Sequence, residues 1–300
     1  MTKVSFIHRQ KAIYAALDKI LSNTPTAADQ ALFLNWGYVS VPGHPDAVSN
    51  DQCPSHQVNA AHIRLVKELV GNVSLNDTTL LDVGCGRGGA LSVIAQRYKP
   101  RRLFGIDLCP EHIAFCRKNP LLRTARLQVA DACQLPHPDH SFDILMNIES
   151  SGAYPDLLAF LKHVSRLLKP GGFFLYTDIV PVTFLRHLTD ALAHLGLACV
   201  SQRLITPNIL AARRQAFSAE SRLLHAAQRT SEAVTAFLNT YSGHPDTPLF
   251  TAMEEGHLCY PIVHYQRTDS DPTPVPDSLK EALDARHTTF QNILQTEFCG

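Results

Sequence analysis

The chain has 300 residues, of which 45% are hydrophobic and 18% charged, with 27 basic and 27 acidic side chains. This is a globular composition with an ample core for one elaborated domain or two modest ones. Its balanced charge gives no global attraction to nucleic acid or an anionic membrane, and no window approaches 18 uninterrupted apolar residues, so no transmembrane span is expected.

In chain order, residues 1–76 read as an N-terminal helical cap, with helices at about 8–22, 26–34 and 56–71 around a Pro-, Gly- and Asp-rich loop, Gly37–Pro54. No secretory apolar region precedes Lys11. Residues 77–206 alternate short apolar runs with helical patterns, the signature of βαβ units and a mostly parallel sheet. Strands are expected at Thr79–Val83, Arg102–Ile106, Leu127–Val129, Phe142–Asn147, Gly172–Thr177 and Ala198–Leu204, with helices near Ala90–Tyr98, Pro110–Lys118, Tyr154–Leu168 and Val182–Leu195. Lys169-Pro170-Gly171-Gly172 reads as a sharp helix end. Residues 207–257 form a helical, polar lid insertion, 258–267 the last core strand, and 268–300 a tail with a helix at Ser278–Thr296. The N-terminal and tail helices offer faces for a homo-oligomer.

The eight cysteines contain no CxxC pair, which fits reduced thiols in a cytoplasmic protein. The 15 histidines contain neither HxxxH nor HExxH, so no metal site is expected. The runs Arg101-Arg102 and Arg213-Arg214 are too short to suggest a nucleic-acid surface.

The strongest local signal is Leu80–Gly89, LLDVGCGRGG, followed by Asp107 in LFGIDL. An apolar run breaks into a glycine-dense turn and then a helix, so backbone N–H groups can approach a ligand closely. An acid at the end of the next strand is placed for ribose hydroxyls. Asp82 sets a carboxylate inside the turn, where it would repel a pyrophosphate and attract a cationic amino-acid end. The ligand inferred is therefore S-adenosylmethionine rather than a nicotinamide dinucleotide, although Gly84, Gly86 and Gly89 also have the dinucleotide spacing.

With the further blocks VADACQLP, SFDILMNIES and LLKPGGFFLYTD in order, the chain resembles the class I S-adenosylmethionine-dependent methyltransferases. The resemblance implies an α/β fold: a Rossmann-like, seven-stranded, mostly parallel sheet with its last strand antiparallel, an N-terminal helical cap and an inserted helical lid. FLNWGY at Phe33–Tyr38 and ESSGAYP at Glu149–Pro155 resemble the branch that contains phthiotriolone, sterol and tocopherol methyltransferases and natural-product tailoring enzymes.

In that family, Gly84, Gly86 and Gly88 would pass under the cofactor's amino-acid part, with Cys85 in the same cofactor-binding turn, and Asp82 would support its ammonium. Asp107 would take the ribose hydroxyls and Leu108 an adenine face. Asp131 and the Ala132 N–H would meet the adenine edge, and Tyr38 would line the methyl-donor pocket. Asn147, Ile148 and Glu149 end the strand where the methyl group emerges. Many relatives carry a His within the ESS-x-x-Tyr stretch, where this chain has Gly152-Ala153. The candidate bases are then Glu149 first, with His44, His264, His257 and Asp178 behind it. The resemblance implies methyl transfer to a small natural product or lipid-like molecule in secondary metabolism, with S-adenosyl-L-homocysteine as product. Oxygen is the favoured acceptor atom, before carbon and nitrogen. A relative that binds the cofactor without methylating is a further alternative. Phe33, Trp36, Tyr38, Phe217, Leu223, Leu224, Phe237, Tyr241, Phe250 and Met253 in the cap and lid suit an apolar acceptor.

Overall fold

The structure, a computed structural model, describes residues 32–48, 59–227 and 242–295. The expected helix at 8–22, and that at 26–34 but for its last three residues, lie outside them, as do the side chains of Phe217, Leu223, Leu224, Phe237 and Tyr241. The elements in order are α1 (Ala60–Val70), β1 (Thr79–Val83), α2 (Gly89–Arg97), β2 (Arg102–Asp107), α3 (Pro110–Lys118), β3 (Arg126–Val129), β4 (Phe142–Ile148), α4 (Leu157–Leu167) and β5 (Leu168–Thr177). There follow β6 (Val180–Pro181), α5 (Val182–His194), β7 (Leu197–Leu204), α6 (Thr206–Ala227), α7 (Pro248–Glu254), β8 (Leu258–Cys259), β9 (Pro261–Arg267) and α8 (Asp277–Gln295).

Seven strands form one sheet in the order β3-β2-β1-β4-β5-β9-β7. Neighbours from β3 to β5 are parallel, and β9 runs antiparallel to both β5 and β7. This is the seven-stranded, mostly parallel Rossmann-like sheet expected. β1 is buried along its whole length, as a parallel strand covered on both faces must be. Alternate residues serve opposite faces. Leu80, Ile144, Met146 and Leu175 pack with Leu65 and Leu69 of α1 and Leu91 and Ile94 of α2. Leu81, Val83, Leu145 and Phe174 pack with Leu161 and Val164 of α4 and Leu188 and Leu192 of α5. Among the described residues no helix is long and apolar enough to cross a membrane.

Three local readings change. α4 begins at Leu157 rather than Tyr154, because the Asp156 carboxylate caps it by accepting the Ala159 N–H at 3.0 Å. The segment before it is a single 3₁₀ turn, Ser151–Ala153. Lys169–Gly172 is not a helix-ending turn but part of β5, where the pairing with β4 jumps from Phe142↔Leu168 to Ile144↔Phe173. A bulge is where a strand tolerates Pro170, which has no N–H to give the ladder. The expected strand over 258–267 is split at Tyr260: Leu258 and Cys259 pair with Pro181 and Val180 in a separate ribbon. Pro261, again lacking an N–H, starts β9.

The tail helix α8 packs on α5, α4 and α7 of its own chain, with Leu283 and Arg286 buried. That face is not available to a partner subunit. Phe250 and Met253 of α7 are core residues.

Candidate active site

β1 lies between β2 and β4, which the chain visits in opposite directions from it. Such a switch point opens a crevice at the carboxyl ends of the strands. The cavity there is lined by Asp82, Gly84, Gly86, Asp107, Glu149 and Tyr154 among others, and roofed by residues 32–35. Its volume is about 110 Å³, small beside the ~300–1,000 Å³ of ordinary ligand pockets. Leu34 sits low over the glycine turn: a Cβ on Gly86 would lie 3.0 Å from Leu34 Cδ1.

Gly84 has φ +76°, and a Cβ there would fall 2.2 Å from Ser150 Oγ, so no other residue fits between the end of β1 and the loop after β4. That loop is tied down from beneath. The Asn147 amide donates to the Val83 carbonyl and to Ser150 Oγ, both at 2.8 Å, and Ser150 Oγ and Tyr154 OH are 2.6 Å apart. Asn147 is fully buried and does not line the cavity; it holds the wall.

Asp107, at the end of β2, accepts the Gly86 N–H on Oδ2 at 2.8 Å and the Cys109 N–H on Oδ1 at 2.9 Å. His112 of α3, a residue sequence reasoning missed, places Nδ1 3.2 Å from Oδ1. Its only signal is its place five residues beyond the acid, in the first turn of the helix. Leu108 and Cys85 also line the cavity.

Asp82 is 2% exposed, and among the described residues its carboxylate receives no hydrogen bond. Burial, then the neighbouring Asp107 charge, push its carboxyl up to about 8. The folded state therefore favours the protonated acid. Stability present below the unfolded value near 4 is lost as pH rises towards 8. Asp82→Asn, neutral and of the same shape, is expected to raise the melting temperature at pH 8 by an amount worth a few kcal/mol, since each tenfold displacement of a proton equilibrium is worth about 1.4 kcal/mol. The gain is expected to vanish near pH 4, and melting curves across that range check it. The same change is expected to weaken a cationic ligand roughly tenfold, one charge-assisted contact being lost.

Glu149 ends β4 with φ +47°. Its Oε1 accepts the Trp36 N–H at 2.8 Å and a short hydrogen bond from the Tyr260 hydroxyl. Burial pushes its carboxyl up to about 8 against these two bonds, and pushes the Tyr260 hydroxyl up as well. Trp36 is held from its other side, since Arg213 Nη1 of α6 donates to its carbonyl at 3.1 Å. Glu149 thus stands where the roof, the sheet and the β8–β9 link meet.

The other sequence-named residues do not come together there. The Tyr38 hydroxyl turns to Asp46 Oδ1 at 2.5 Å, with the ring beneath the Arg64 guanidinium. His44 is exposed in a turn closed by its own N–H on the Val41 carbonyl. His264, on β9, gives its Nε2 proton to the Leu69 carbonyl at 2.6 Å, and burial lowers the ring below the usual imidazole range. His257 is mostly exposed beside Glu255. Asp131 folds onto the Cys133 N–H at 2.8 Å, with Ala132 buried behind it. Asp178 is saturated by Ser151 Oγ at 2.6 Å, the Gly152 N–H at 3.1 Å and the Ile179 N–H at 2.8 Å. Arg286 of α8 reaches the same loop, donating to the Ser151 carbonyl at 2.7 Å.

A family model described as a methyltransferase domain matches residues 81–176, the stretch from β1 to β5 that contains Asp82, Asp107 and Glu149. The chain is 35% identical over 196 residues to a fatty-acid O-methyltransferase of Mycolicibacterium smegmatis, across 65% of this chain and 68% of that one. It is 35% identical over 182 residues to a phthiotriol/phenolphthiotriol dimycocerosates methyltransferase of Mycobacterium leprae, across 61% of this chain and 66% of that one. Its fold is similar to that of a geranyl diphosphate C-methyltransferase of Streptomyces coelicolor A3(2), crystallised with Mg²⁺, geranyl diphosphate and S-adenosyl-L-homocysteine. That likeness has a TM-score of 0.56 over 85% of this chain and 98% of that one, at 18% identity.

Proposed function

The chain belongs to the S-adenosylmethionine-dependent methyltransferases, and from that premise we propose that it methylates an oxygen atom of a lipid-like small molecule, a fatty-acid carboxylate being the first acceptor to try. The observation that carries the cofactor assignment is Asp82: a buried carboxylate that has no hydrogen-bond donor among the described residues, facing the same cavity as Asp107, calls for a cationic ligand. The residues present fit S-adenosylmethionine. Asp107 takes the ribose hydroxyls, Asp82 the ammonium, the Gly84–Gly86 backbone the amino-acid chain and Leu108 an adenine face, with Asp131 and the Ala132 N–H at the adenine edge once the β3 turn opens.

When bound, the cofactor supplies an electrophilic sulfonium methyl group. The protein's own work is alignment, exclusion of water and, for some acceptors, removal of a proton. Residues 32–35, held through Trp36 to Glu149, lift to admit the ligands and close to exclude water. Residues 1–76 act as a cap, and 207–257 as a lid, on the core at 77–206. A carboxylate acceptor is already ionised and needs no base. An alcohol needs one, and Glu149 is the group placed to accept its proton.

The oxygen assignment is supported by the identity with the fatty-acid O-methyltransferase. Its test is incubation with S-adenosylmethionine and matched fatty acids, fatty alcohols and prenylated compounds, read by mass spectrometry. A gain of one CH₂ that alkaline hydrolysis removes is the expected ester. A methyl group bound to carbon would overturn the proposal, and so would an unchanged mass with altered connectivity.

A further inference from the structure

The balanced total charge hides a local excess. The segments 95–103 and 117–126 carry four basic residues each and no acidic one. They are brought side by side because β2 and β3 pair in parallel from Phe104↔Arg126 onward. Where the two segments meet, at the amino ends of β2 and β3, lies a surface depression of about 340 Å³. Lys99, Arg101, Arg102 and Arg126 line it, and among the described residues no acidic one does. We propose that this depression binds a phosphate-bearing ligand.

The site is built rather than a chance of flexible side chains. The N–H groups of Arg101 and Arg102 both donate to the Thr78 carbonyl, at 2.8 and 3.2 Å, and the Asp77 N–H donates to the Lys99 carbonyl at 3.0 Å. The Arg126 guanidinium lies 5.5 Å above the Phe104 ring. Arg101 has a neighbouring acid in Asp143, but that carboxylate already takes Lys169 Nζ at 2.6 Å and the Thr79 N–H at 2.8 Å. Among the described residues Lys99, Arg102 and Arg126 have no ion-pair partner. Converging cations without a counter-charge repel one another. Phosphate relieves this best, because its oxygens take the paired donors of a guanidinium.

Tyr98, Leu103 and the 44% exposed Leu121 give the depression an apolar wall, which suits an organic phosphate over the bare ion. The site lies across the sheet from the cofactor cavity, the length of β2 away, or roughly 20 Å at ~3.3 Å per residue. It is thus a separate site, and it stands whether or not the acceptor proposed above is correct.

The test uses the full chain. Calorimetry with inorganic tripolyphosphate at low and high sodium chloride is run on the native protein and on the double variant Arg102→Ala, Arg126→Ala. Both substituted residues are exposed, so folding and S-adenosylmethionine affinity are expected to be unchanged. Sub-millimolar binding is expected, weakened by salt and lost by roughly tenfold or more in the variant. A parallel arm measures sedimentation with phosphatidylcholine vesicles with and without phosphatidic acid. Binding to the acidic vesicles that the variant loses assigns the phosphate to a lipid headgroup; tripolyphosphate binding without it assigns a soluble phosphate ester. No binding in either arm, or equal binding by the double variant, overturns the proposal.

Discussion

Asp107→Ala is expected to weaken S-adenosylmethionine by at least ~100-fold in a calorimetric titration. The carboxylate makes two kinds of contact that end together. Towards the ligand it offers charge-assisted hydrogen bonds to two ribose hydroxyls, worth about 1.5–3 kcal/mol each, which is roughly 100- to 10⁴-fold in affinity. Towards the protein it accepts the Gly86 and Cys109 N–H groups, so its loss also releases the glycine turn that has to be in place before a ligand arrives. Asp107→Asn does not separate the two contributions. One carboxylate oxygen becomes an NH₂ that must face a backbone donor, so the turn is disturbed even though the shape is kept. A second readout reports whether the site stays intact: the Asp82 carboxyl, pushed up first by burial and then by the Asp107 charge, is expected to fall only in part in Asp107→Ala, a complete fall marking a site opened to water. Near-native affinity in the alanine variant would remove the ribose assignment.

The sheet and the glycine turn were legible because their causes are local. Leu80–Val83 is apolar but for Asp82, as a strand buried on both faces has to be, and the break into Gly84 follows from a backbone conformation and a closeness to Ser150 that only glycine allows. What sequence reasoning missed depends on residues that meet only in the fold. The hydroxyl on Glu149 belongs to Tyr260, 111 positions away, and lies where Pro261 cuts a strand that periodicity alone draws as continuous. The other donor on Glu149 is the backbone N–H of Trp36, and a main-chain group carries no sequence signal at all. Tyr38, whose motif suggested the donor pocket, is drawn aside by Asp46, within a loop whose course the sequence leaves open. The basic depression escaped for the opposite reason: a net charge summed over the chain cancels what pairing of β2 and β3 concentrates.

Glu149→Gln is expected to lower turnover on an alcohol acceptor by ~10²-fold or more, the usual contribution of a general base, while cofactor affinity changes little. Glutamine can keep both hydrogen bonds at the oxygen that now receives the Trp36 N–H and the Tyr260 hydroxyl, so the roof stays latched and only the proton acceptor is lost. Since burial holds the native carboxyl at about 8, the base form grows as pH rises towards and past that value. Native turnover on an alcohol is then expected to climb through this range, and the glutamine variant to lose the climb. The stability effect has the opposite sign. A carboxyl raised in the folded state favours its protonated form, so the native protein loses stability between its unfolded value near 4.5 and about 8, whereas the variant is expected to melt with a flatter pH dependence. On a fatty-acid carboxylate, which arrives ionised, the substitution is expected to change turnover only a few-fold. Comparing the two acceptors therefore separates proton removal from alignment. A loss of equal size on both would make Glu149 a positioning residue for the roof, and no loss on either would leave the proton of an alcohol acceptor to another group.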